Sequence, residues 1–90
     1  MSVRRATSLW VPVDARSGTE LRCYRQHPPL LTIRASRPAL LVTLTLPERI
    51  EAGHVQFARQ LAASAAAYAV EVERRYRGLS PVRSDKEVAA

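Results

Sequence analysis

The chain has 90 residues and carries 14 basic and 8 acidic side chains, for a net charge of +6. That length holds one small domain with a thin core, and a 47% hydrophobic content is too high for a wholly disordered chain. One cysteine excludes an internal disulfide framework and a cysteine-based zinc finger.

The first seven residues read as a flexible arm bearing Arg4 and Arg5. No apolar run follows them as a secretory leader requires, and no stretch approaches the roughly 20 apolar residues of a membrane span. With a single thiol, this points to the cytoplasm. The first predicted strand is Leu9 to Val13, with Leu9, Val11 and Val13 on one face and Trp10 and Pro12 on the other. Pro12 has no N–H to give a ladder, which makes this an edge strand. Asp14 to Gly18 reads as a turn, with Gly18 placed for a positive φ.

The second strand is Glu20 to Gln26, ended by His27-Pro28-Pro29, with Leu21 and Cys23 facing inward and Arg22 and Tyr24 outward. The third is Leu30 to Ala35. The fourth, Ala39 to Leu46, has the cleanest alternation in the chain: Leu40, Val42, Leu44 and Leu46 against Leu41, Thr43 and Thr45. Short connections favour an antiparallel meander, because parallel pairing needs long crossovers.

One long helix follows, predicted over 47–78. Thr45-Leu46-Pro47-Glu48 fits a capping box, proline is tolerated in a first turn, and Gly78 then Pro81 are the usual stop signals. Gly53 marks a weak point, either a kink or the true start of the helix. Ile50, Phe57, Leu61, Ala65, Tyr68, Val72 and Leu79 fall on one stripe at about 100° per residue. Glu71 and Glu73 stand four residues before Arg75 and Arg77, the favourable order for helix ion pairs. Residues 80–90 have no period and read as a disordered tail. The fold class expected is α+β: a four-stranded, mainly antiparallel sheet at 8–46 and one C-terminal helix packed on one face, together forming a single domain at 8–79.

From Gln60 to Val70 the helix carries no charge on any side. Ala58, Ala62, Ala63, Ala66, Ala67 and Val70 make a second face of small residues, which permits close approach of another helix. Alanine is also the best helix former and costs little in water, so an exposed alanine-rich helix is the plainer alternative. A homodimer is the default form of association through such a face, with a small protein partner as the variant.

The charge excess lies toward the N-terminus. Of the 14 basic residues 13 are arginine, and 14 residues are alanine, the composition of a high-G+C, bacterial gene. If Leu21, Ile33 and Val42 face inward, the opposite sheet face presents Trp10, Arg22, Tyr24, Thr32, Arg34 and Thr43, with Arg37 nearby. Arginines interleaved with rings suit nucleic acid, since guanidinium binds phosphate and rings stack on unpaired bases. A solvated sheet face kept soluble by charge is the alternative. Trp10 reads either as packing or as an interface anchor.

Catalytic sets are missing from the sequence. Asp14, Glu48 and Glu51 have turn or helix-start explanations, and three glycines make no phosphate loop. Cys23 reads as a small buried hydrophobe, His27 as a turn residue, and His54 as a sheet-edge or core histidine whose ring finds one backbone partner. No metal, cofactor, catalytic residue or disulfide-linked partner is expected. The function expected is a small non-catalytic interaction module acting through self-association and partner binding by the helix. The alternative is a nucleic-acid-binding protein using the basic sheet face and the N-terminal arm.

Overall fold

The fold is described from a computed structural model, for residues 6–35 and 40–82. The chain divides into two compact units, Met1–Ile50 and Glu51–Ala90. The class is α+β: a three-stranded antiparallel sheet followed by one C-terminal helix.

The sheet consists of β1 (Gly18–Arg22), β2 (Leu30–Ala35) and β3 (Leu40–Leu44), in the order β1-β2-β3. The first of the four expected strands, Leu9 to Val13, does not form, and residues 6–13 carry no regular structure. Pro12 removes one ladder donor. Leu9, Trp10 and Val13 all stand exposed, so no apolar face holds the segment in place. Asp14 to Ser17 is a turn, as expected. Its closing bond runs from the Ser17 amide to the Asp14 carbonyl at 3.0 Å, and the Asp14 carboxylate accepts from the Arg16 amide at 2.8 Å. Gly18 is the first residue of β1 and does not take a positive φ; among the described glycines only Gly78 does.

β1 stops four residues short of the predicted end, and the register explains why. Gly18 pairs with Arg34 and Arg22 with Leu30. Continuing the ladder would set Cys23 against Pro29 and Tyr24 against Pro28, two residues with no N–H to donate. Cys23 is therefore an exposed loop residue and not part of an inner face.

Period-two alternation divides the sheet. Directly paired residues share a face, so Leu21, Leu31, Ile33, Ala35, Leu40, Val42 and Leu44 lie on one side with Thr19. Arg22, Leu30, Thr32, Arg34, Leu41 and Thr43 lie on the other with Gly18 and Glu20. This is the partition the sequence alternation implies. Among the described residues Ala35, at 2% exposure, is the only buried apolar residue, while Leu21 on the same face stays 63% exposed. Ser36, Arg37, Pro38 and Ala39 lie outside the described residues.

The helix α1 spans Ala52–Tyr76, 25 residues or about 37 Å at 1.5 Å per residue. It starts five residues later than the capping signal at Thr45 suggested. Glu48 is held elsewhere: its carboxylate lies 3.5 Å from Nδ1 of His27. The N-cap is Glu51, in a capping box with His54 in the place usually taken by Glu or Gln. The Glu51 amide donates to Nδ1 of His54 at 2.9 Å. Gly53, with nothing within 4 Å of where a Cβ would sit, falls in this first turn and marks the true start.

The far end follows the sequence closely. Gly78 has φ 75°. Its amide donates to the Arg75 carbonyl at 3.1 Å, and the Leu79 amide to the Arg74 carbonyl at 2.8 Å. That pair of bonds is a Schellman motif. Residues 80–82 return to the helix by hydrogen bonds. Nε of Arg74 donates to the Ser80 carbonyl at 2.8 Å, and the Val82 amide donates to the Glu71 carboxylate at 3.2 Å. Of the two expected helix ion pairs, Glu73 with Arg77 forms at 2.9 Å. No described helix is long and apolar enough to cross a membrane. The arm at 1–5 and the tail at 83–90 lie outside the described residues.

Candidate functional site

Two surfaces bring expected residues together, one in each unit. The first is the polar face of the sheet. Glu20, Arg22, Leu30, Thr32, Arg34, Leu41 and Thr43, with Thr19 and Tyr24, line an open hollow of about 300 Å³. Arg22, Tyr24 and Arg34 were expected on this face; β1 and β2 place the two arginines there, and Tyr24, two residues past the end of β1, also lines the hollow. Trp10 was expected beside them. It lies in the strandless segment, 91% exposed, and does not line the hollow. Arg37 lies outside the described residues.

Each arginine of the hollow is held by its neighbours. Nε of Arg22 lies 3.3 Å from the Glu20 carboxylate, two residues back on the same strand and face. Hydrogen bonding to Tyr24 first, then pairing with Glu20, raises the Arg22 pKa above its ordinary value and fixes the guanidinium charge. Arg34 stands directly across from Gly18. A Cβ at position 18 would sit 2.8 Å from Nη2 of Arg34, so glycine there makes room for the guanidinium. The same nitrogen reaches the Arg16 carbonyl at 3.5 Å, a long contact. At the centre, the hydroxyls of Thr32 and Thr43 are hydrogen-bonded across β2 and β3 at 2.9 Å.

Sequence reading missed three features of this face: the Glu20 partner of Arg22, the room that Gly18 provides, and the threonine pair. The first was visible as acid and base two residues apart in a strand. The other two depend on register, which sets Gly18 against Arg34 and Thr32 against Thr43.

The second surface is α1. No residue of the helix is buried. On the main stripe Phe57 is 50% and Tyr68 62% exposed, Val72 is also exposed, and Leu61 is half-buried. Ile50 and Leu79, assigned to the stripe from sequence, lie just outside the helix. The alanine face holds exposed Ala58, Ala62, Ala63, Ala66 and Val70, with Ala67 half-buried. Both faces are therefore open to solvent.

The remaining chemical groups are separately engaged. Nδ1 of His54 accepts from the Glu51 amide, which leaves the ring proton on Nε2. A backbone partner was expected of it, but in the core or at a sheet edge; the ring instead lies half-buried in the first turn of α1, where it caps the helix. The His27 ring sits against Glu48 and edge-on to Tyr24, with centroids 6.5 Å apart and planes at 73°. Among the described residues no three His, Cys, Asp or Glu side chains gather as metal ligands would. No family model, curated protein or solved structure matches the chain.

Proposed function

We propose that the chain is a non-catalytic self-association module, working as a homodimer through its long alanine-rich helix and meeting other partners in that assembled state. The observation that carries this reading is a 25-residue helix, uncharged from Gln60 to Val70, with no buried residue. A helix apolar around its circumference needs cover on more than one side. The sheet's apolar face makes the same demand, since among the described residues Ala35 is its one buried apolar side chain.

Magnitudes decide how much must be covered. Fully burying a Phe, Leu or Val side chain contributes about 1.5–3 kcal/mol. Phe57, Leu61 and Val72 are already partly covered, so pairing their stripes across two chains contributes roughly half of that for each side chain, on the order of 4–9 kcal/mol per dimer. Association itself costs about 4–15 kcal/mol. The stripe alone does not sustain a micromolar dimer. The alanine face must join it, through a helix–helix contact at Ala58, Ala62, Ala66 and Val70.

Light scattering on a sizing column, in low and in high salt, tests this. The expected result is a salt-independent mass near twice the 10.0 kDa chain, reduced to one chain by Ala66→Glu. A single-chain mass for the unaltered protein in both buffers overturns it, and a mass that falls in high salt assigns the association to charge instead.

A further inference from the structure

We propose that the polar face of the sheet binds single-stranded nucleic acid, with the backbone phosphates running from Arg22 to Arg34 and a base stacked on Tyr24. The argument starts from spacing. Arg22 is the last residue of β1, and Arg34 pairs with Gly18, the first. Four residue steps at about 3.3 Å place the backbone positions that carry the two arginines roughly 13 Å apart along the strands. That separation is too long for one phosphate and suits a chain of them.

The floor between the arginines fits the same ligand. The Thr32 and Thr43 hydroxyls, 2.9 Å apart, offer donors and acceptors at the centre of the hollow. Tyr24, 46% exposed, supplies a ring at the Arg22 end. Aromatic rings bind unpaired bases whatever their identity, while base edges in a duplex stay stacked and out of reach.

Charge sets the strength. Among the described residues Arg34 holds a single long contact, 3.5 Å to the Arg16 carbonyl, which a phosphate oxygen replaces with a shorter charge-assisted bond. Arg22 is partly spent on Glu20 at 3.3 Å. Glu20 therefore acts as a brake on this face: it competes with phosphate for Arg22 and repels the strand. The prediction separates a built site from the general basicity of a chain with net charge +6. Removing an acid here strengthens binding, and removing one elsewhere does not.

The helix supplies the matched control, because Glu73 and Arg77 form a comparable exposed pair at 2.9 Å. The experiment is fluorescence anisotropy of a labelled oligothymidylate 12-mer, titrated with the full chain between about 50 and 200 mM salt. Arg34→Ala is expected to weaken binding five- to tenfold and to lower the log–log salt slope by about 0.7, the loss of one phosphate contact on a single strand. Tyr24→Ala is expected to cost about tenfold, within the range for one stacked base. Glu20→Gln is expected to tighten binding at least threefold. Arg77→Ala and Glu73→Gln are expected to move it less than twofold, with circular dichroism showing all five variants folded.

Failure to bind the oligomer at the lowest salt overturns the proposal. So do equal losses from Arg34→Ala and Arg77→Ala, which would reduce the effect to net charge. Thymidine monophosphate binding as tightly as the 12-mer would replace a strand with a single phosphate ligand and overturns it as well. None of this rests on helix association, so the sizing and anisotropy experiments fail separately.

Discussion

The sheet and the helix handle their apolar residues in opposite ways. The sheet sorts them: period two sends Leu31, Ile33 and Val42 to one side and Thr32, Arg34 and Thr43 to the other. The helix does not sort them. Phe57 and Leu61 share a stripe, yet Ala62, Ala66 and Val70 continue the apolar surface around the back, and no helical residue is buried. A sorted element declares which face is polar and what chemistry that face offers. An unsorted one declares only that it is incomplete alone.

The contrast breaks most sharply on two leucines. Leu61 lies on the helix stripe, and Leu41 lies on the polar side of the sheet, 64% exposed. Leu61→Asp places a carboxylate in the proposed dimer core, where an unpaired charge is costly. We expect association to weaken by a hundredfold or more, read as loss of the higher mass at micromolar concentration. Leu41→Asp is expected to leave the mass unchanged. Equal behaviour of the two would mean that the helix stripe is an ordinary solvated surface.

Within the sheet, Ala35 is the residue with no room to grow. It is 2% exposed and pairs with Leu40. Ala35→Leu adds three carbons to a filled place and is expected to cost roughly 1–3 kcal/mol. Urea unfolding at one fixed protein concentration measures this, since the midpoint of an associating chain depends on concentration. A stability change within about 0.5 kcal/mol would show the site to be as loose as the surface.

The legible parts of the fold were those set by local chemistry. The alternation in β3, the prolines after β1 and Gly78 followed by Pro81 each act within a few residues. The structure shows β3 and the left-handed stop accordingly, while β1 ends at Arg22, ahead of the prolines. What was not legible depends on competition. Thr45-Leu46-Pro47-Glu48 is a sound helix start in isolation, but Glu51 and His54 form a start nearer the uninterrupted apolar run. Leu9 to Val13 has strand alternation, but no described strand pairs with it. Of the polar face, Arg22 and Arg34 were legible because alternation alone sets their side, whereas Tyr24 lines the hollow from beyond the end of β1. The role of Gly18 was not, because no local signal carries the register that sets it against Arg34.

The helix start gives a smaller test. His54→Ala removes the ring nitrogen that accepts the Glu51 amide, and loss of a capping interaction costs about 1 kcal/mol. His54→Gln keeps an acceptor at the same place and is expected to recover most of that loss. If alanine and glutamine behave alike, the ring serves packing and not the cap.

The two glycines of the second unit complete the comparison, with effects of opposite sign. Gly78 holds φ at 75°, where a Cβ crowds the backbone, so Gly78→Ala is expected to cost about 1 kcal/mol. Gly53 sits in the first helical turn, with nothing within 4 Å of its missing Cβ. Alanine fits there without strain and removes freedom from the unfolded chain, a gain of about 0.5 kcal/mol. The two changes lie at opposite ends of one helix and add the same methyl group, so backbone conformation is what separates them. A loss at Gly53 would show that the open space around it is filled in the associated protein. The helix start would then belong to the interface, and the contact would reach a full turn beyond the alanine face.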